Sequence, residues 1–200
     1  MPATPPGDRF CRICGVVVDL SNEFRHDLHR AAIAIVPQVW ALTILDPWMW
    51  AIDALPVGES KDIENRKWPP YGWIRRQRWI AAHVGQTFDG DEARHRIAQI
   101  GGAMPPSEHA AEMQARRGKI TAFIRIDGAH APGDLFANAT PPKWWFREQH
   151  GWQIGARVKL ARPVAAVGKH KVWRVPVPVA VQLADQLPPE VLAALAAPPA

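Results

Sequence analysis

Cysteine is scarce in this sequence: Cys11 and Cys14 are the only two, too few and too close together to build the disulfide framework of a secreted domain. That scarcity implies a reducing, intracellular setting. Long apolar runs are missing as well, since none approaches the roughly twenty residues that span a bilayer. The opening "MPATPPGDRF" has no charged-then-apolar signal pattern. The expectation is a soluble cytoplasmic protein with no membrane contact. An acidic excess is absent too: 24 Lys+Arg against 19 Asp+Glu leave a net charge of +5, which favours an anionic partner without requiring one. No self-similarity recurs at the roughly 20–50-residue periods of repeat proteins, which excludes a solenoid.

Tryptophan, by contrast, is abundant. Ten of the 200 residues are Trp, and such flat rings serve either as core filling or as stacking platforms for bases. The length suits one main domain with a small appendage. Residues 38–46 read as a buried strand, and 47–55 as a short helix with Pro47 in its first turn, where a missing N–H is harmless. The stretch "ESKDIENRKW" (59–68) reads as a second strand entering the turn "PPYG" (69–72), with 75–83 as a third. Residues 89–117 look helical, with Ser107 as a cap and Gly118 as a stop. Strands follow at 119–127, 152–161 and 171–177, and 188–200 is an Ala/Pro-rich tail with one helical turn or two. Short, unevenly spaced strands with helices between them suggest an α+β fold built on a small mixed β-barrel, not an alternating parallel sheet.

Residues 1–36 carry their own signal. Cys11-x2-Cys14 followed by Gly15 has the spacing of a zinc knuckle, two thiolates gripping one ion above a glycine turn. His26 and His29 lie eleven residues further on, three apart along a helix expected to start near Ser21 or Asn22 and to end at Pro37, so they share one face. The set Cys11, Cys14, His26 and His29 therefore reads either as a structural Zn2+ site or as free side chains on a leader. A bound ion would supply most of the folding energy of so short a segment, and the module offers a surface for a protein partner.

The middle of the chain resembles the ASCH family. Gly58-Glu-Ser-Lys61-Asp-Ile-Glu64-Asn65-Arg66 is similar to its G-x-K-x-x-E-x-R signature, with one extra residue between glycine and lysine. "ALTILDPWMWAI" looks like the first strand and "QPW" helix start, with Asp46 in place of glutamine. "RWIAAHVGQ" is similar to the third strand and keeps His83. "LARPVAAVGKHKVWRVP" resembles the closing element and keeps Pro163, Gly168 and Trp173. The resemblance covers about 38–178 and assigns an ASCH domain to 37–187. It implies a PUA-like β-barrel whose cleft binds RNA or other nucleic acid. Some small members are amidases that remove acetyl from N4-acetylcytidine, in which the lysine activates a threonine three residues later. Here the lysine matches Lys61, but the threonine position holds Glu64, a carboxylate that can act as a base on water and cannot replace an alkoxide.

The residues themselves fit a cleft. On a strand, Glu64 and Arg66 share one face and Ile63 takes the other, while Lys61 sits at the loop edge. A carboxylate beside two cations stays ionised and accepts from a nucleobase amino group, and the cations suit phosphate or carbonyl oxygens. Arg75, Arg76 and Arg78 add to a local excess of cations that suits phosphates, or marks a solvated strand end. Trp48, Trp68 and Trp73 are candidate stacking surfaces, whereas Trp79 and Trp173 read as core. Trp144 and Trp145 either touch a ligand or pin a loop. His83 reads as a structural histidine or as a base. The expected function is recognition of RNA, in preference to DNA, through a modified or single-stranded base held by Lys61, Glu64 and Arg66. Hydrolysis of a modified nucleoside by Lys61 and Glu64 is the alternative, and a zinc-containing interaction module the second.

Overall fold

Residues 9–10, 17–18, 39–56, 58–74, 78–100, 104–134 and 140–197 are described by a computed structural model of the protein, the first two pairs as backbone only. In the leader, β1 (Arg9–Phe10) pairs antiparallel with β2 (Val17–Val18), Phe10 opposite Val17. Cys11, Cys14, His26 and His29 lie outside the described residues, as do the expected helix before Pro37 and the pair Arg75 and Arg76.

The alternating residues of "WALTILD" form β3 (Trp40–Asp46), whose side chains are buried on both faces of a sheet. Ala41 packs in one cluster with Phe123 and Trp173, while Leu42 and Ile44 pack in another with Ile80 and Trp152. Pro47 then opens α1 (Trp48–Asp53), and the buried Asp46 carboxylate accepts the Trp50 N–H at 3.0 Å, satisfying one orphan donor of the first turn. The chain continues through β4 (Ile63–Arg66), β5 (Arg78–Phe88) and α2 (Gly90–Gln99). A 3-10 turn at Ser107–His109 leads into α3 (Ala110–Arg116), which stops at Gly118, where φ is +69°. Long strands β6 (Lys119–His130) and β7 (His150–Ala165) and short β8 (Val172–Arg174) complete the sheet.

Two helices close the described chain. α4 (Val177–Ala184) was not expected from its proline-bounded sequence, although proline in a first turn costs no intrahelical bond. α5 (Pro189–Ala196) occupies the segment expected to be a tail. Ala180, Leu183, Val191 and Leu195 are buried against Val39, Ala41 and Phe123, so both helices belong to the core of the outer sheet face.

Strands β3 to β8 form one mixed sheet, separate from the β1/β2 pair, in the order β4-β7-β6-β5-β3-β8, parallel at β3/β5 and antiparallel elsewhere. In a flat sheet β4 would stand about 19 Å from β3, four spacings of about 4.8 Å. Instead the Arg66 guanidinium donates to the Thr43 carbonyl at 2.7 Å, so the sheet curls until its first strand faces its fifth. The expected barrel is nevertheless not closed. β8 pairs with β3 over Trp40–Leu42, and β4 is only four residues long. The remaining gap is spanned by side chains where a closed barrel would have a backbone ladder.

Candidate functional site

That seam holds a hollow of about 170 Å3, walled by Ile44, Leu45, Trp48 and Phe146 and lined by Lys61, Glu64 and Arg66. Glu64 stands directly opposite Trp152 in the β4/β7 ladder, so it faces the interior of the curl, and Arg66 two residues on shares its face. Lys61 precedes the strand, its backbone N–H bonded to the Ala51 carbonyl at 2.8 Å. Its ammonium lies 2.5 Å from Glu64 Oε2, and Arg66 Nη2 lies 2.9 Å from Glu64 Oε1. One carboxylate thus bridges two cations at the floor of the hollow.

Lys61 and Glu64 are buried, whereas the Arg66 side chain keeps 21% of its surface exposed. Burial by itself raises a carboxyl pKa, but Lys61 and then Arg66 outweigh it and hold Glu64 below its ordinary range. Burial also pushes the Lys61 ammonium below its ordinary value, offset in part by Glu64. Glu64 is therefore a fixed negative charge, with each oxygen holding one cation and retaining lone-pair capacity for a donor from the hollow.

The walls are fixed independently. The Trp48 indole N–H donates to Asp89 Oδ2 at 2.8 Å, its ring meets Phe146 edge-on at 5.8 Å, and the Lys61 ammonium lies 5.9 Å from its centroid. Asn65, on the opposite face of β4, clamps the loop that carries Phe146: its amide donates to the Trp144 carbonyl at 2.7 Å and accepts the Phe146 N–H at 2.8 Å. Trp144 and Trp145 are buried. Their indole N–H groups donate to the Glu59 and Gln149 carbonyls. Both pin this loop, and neither lines the hollow.

Two further carboxylates, Asp89 and Glu92, line the mouth, and Glu92 accepts from Arg96 Nε at 2.8 Å. Among the lining residues two cations thus face three carboxylates, and both cations are already bound to Glu64. Of the expected cationic patch Lys61 and Arg66 line the hollow and Arg78 does not, while Arg75 and Arg76 lie outside the described residues. The lining favours hydrogen-bond donors over phosphate.

Of the residues singled out in the sequence, Lys61, Glu64, Arg66 and Trp48 converge here. Trp68 does not: it packs edge-on against Trp152 at 4.8 Å, outside the hollow. His83 is also elsewhere. It is buried on β5, its Nε2 donates to the Ala166 carbonyl at 3.1 Å, and its ring lies 5.6 Å from that of Trp173. Burial lowers its pKa from 6.5, with the Ala166 and Gly118 carbonyls opposing, so at pH 7 it is a neutral packing residue. A Cβ on Gly168 would overlap the His83 ring and stand 3.0 Å from Thr43 Oγ1. Gly168→Ala is expected to cost about 1–3 kcal/mol by overpacking, read as a lowered midpoint in chemical denaturation.

The sequence reading missed Asn65, Asp89, Glu92, Phe146 and Gln149. Asn65 lies inside the charged stretch and Phe146 inside the flagged aromatic cluster 141–152, which were the available signals. Asp89, Glu92 and Gln149 carried none, because only the curl brings them to β4. No protein-family model matches the chain, and no curated protein matches it. The ASCH likeness therefore rests on the four segments quoted from the sequence.

Proposed function

We propose that this is an ASCH-type, PUA-like nucleic-acid-binding protein that takes one base of a single-stranded RNA, plain or modified, into the hollow. One observation carries the reading: Lys61, Glu64 and Arg66 meet in a cavity of about 170 Å3 beside the edge-to-face pair of Trp48 and Phe146. Roughly 150 Å3 accommodates a benzene ring, so the hollow matches a single planar ring. Trp48 and Phe146 contact the ring, Glu64 accepts from an exocyclic amino group, and the exposed part of Arg66 reaches a carbonyl or the adjoining backbone.

Titration with the four common nucleosides and N4-acetylcytidine tests this. Glu64→Gln is expected to weaken binding about 10- to 150-fold, the range for a hydrogen bond to a charged group of about 1.5–3 kcal/mol. Equal affinity in wild type and variant would sink the reading. The pH profile has a definite sign. Because Lys61 and Arg66 outweigh burial and hold Glu64 below 4.5, the acceptor is present above that value and is lost only as pH falls through the lower folded pKa. Affinity is expected to stay flat from about pH 8 to pH 5.

One feature favours a hydrolytic second reading, namely Lys61 held below its ordinary pKa against Glu64. Turnover of N4-acetylcytidine that disappears in Lys61→Ala would select it. For the leader, we propose that Cys11, Cys14, His26 and His29 hold Zn2+, which would act as a structural clamp. The β1/β2 register, pairing Phe10 with Val17 across the residues that contain both cysteines, fits a knuckle turn. Elemental analysis finding no zinc in protein purified without chelator would remove that assignment.

A further inference from the structure

The loop that leaves β4 beyond Arg66 sets four aromatic rings in a row. Tyr71 follows Trp68 at 5.6 Å, Trp73 lies within 4° of parallel to Tyr71 at 6.2 Å, and Trp40 of β3 ends the row 5.1 Å from Trp73. Trp40, Trp68 and Trp73 are half-buried with their inner edges on the core, whereas Tyr71 is 41% exposed. Packing explains Trp68 against Trp152, whereas Tyr71 continues the row and keeps 41% of its surface in solvent.

The loop itself contributes cations and no acid: residues 66–74 contain Arg66, which is paired with Glu64, and the exposed Lys67, and the Arg78 guanidinium lies 5.9 Å from the Trp73 ring. Pro69 and Pro70 stiffen the loop, and the Ile74 N–H closes a turn onto the Tyr71 carbonyl at 2.8 Å, so the rings are presented with little entropy left to lose. Trp68 lies two residues beyond Arg66, which lines the hollow. Two residues of chain span at most about 7 Å, so the Cα of Trp68 lies within that distance of the Cα of Arg66.

We infer that this row continues the hollow as a stacking platform for the bases flanking the one held by Glu64, so that the occupant is a single-stranded RNA segment of several nucleotides. The inference rests on the base-binding reading of the hollow. Aromatic rings beside cations suit single strands because every base has a π face and every linkage a phosphate.

The test compares a mixed-sequence eight-nucleotide single-stranded RNA with the free nucleosides, in wild type, Tyr71→Ala, Tyr71→Phe and Glu64→Gln. Wild type should bind the eight-mer at least tenfold more tightly than its best nucleoside. Tyr71→Ala should lose about fivefold or more of the eight-mer affinity, the low end of what one stacked base contributes. Nucleoside affinity should be unchanged even though the lost ring contacts lower the thermal midpoint slightly, and Tyr71→Phe should restore eight-mer binding. Equal eight-mer affinity in wild type and Tyr71→Ala overturns the inference and leaves the row as a packing cap or a protein contact. Failure of the hollow looks different: no nucleoside binds and Glu64→Gln changes nothing, whatever Tyr71 does.

Discussion

Glu64→Ala is expected to lower the unfolding free energy by about 3–5 kcal/mol, the usual result of stripping the partner from a buried charge. Lys61 loses its 2.5 Å contact and remains buried, with no other carboxylate among the described residues within ion-pair distance. Arg66 suffers less, because it keeps the Thr43 carbonyl and reaches solvent. The double variant Lys61→Met/Glu64→Leu separates structure from function. Replacing a buried ion pair by apolar groups of similar volume is often neutral, so urea denaturation of the double variant should recover most of the loss. Nucleoside binding should remain absent, since the acceptor is gone. A double variant as unstable as Glu64→Ala would show that the pair is needed for packing at the seam, not merely compensated there.

Arg116→Met is expected to cost a similar amount, about 3–5 kcal/mol at pH 7. Arg116 is buried at the end of α3, 2.9 Å from Asp53 Oδ1 and 3.4 Å from Asp46 Oδ1, and so ties both ends of α1 to the sheet side of the domain. Burial raises the pKa of Asp46 and of Asp53 above 3.8, with Arg116 opposing in each case. The sign follows from linkage. A carboxyl raised in the folded state binds its proton there more readily than in the unfolded chain, so its cost is full at high pH and shrinks as pH falls through the folded value. Without Arg116 both values rise further, and the variant's deficit should be larger at pH 7 than at pH 5. The same deficit at both pH values would mean that lost packing, and not uncompensated charge, is responsible.

His83 and Trp68 show where sequence reasoning stops. His83 sits in a segment that resembles a known pattern and Trp68 just beyond another, yet His83 is buried against Trp173 and the half-buried Trp68 sets its inner edge on Trp152, outside the hollow. Nothing local distinguishes a ring that packs from one that faces a ligand, because the distinction depends on which distant strand lies opposite. α4 escaped notice for a related reason: its prolines resemble strand breakers until the buried faces of Ala180 and Leu183 supply the energy that a short helix lacks on its own.

Local chemistry was legible in the sequence. The strand period places Glu64 and Arg66 on one face with Lys61 at the loop edge, Pro47 opens a helix, and Gly118 ends one, because each of these depends on residues within a few positions. The order of the strands, the open seam between β4 and β3, and the arrival of Asp89, Phe146 and Gln149 around Glu64 were decided by tertiary structure. A hollow is enclosed only when a sheet curls, and curling is set by pairing between strands far apart in the chain, which no local pattern encodes.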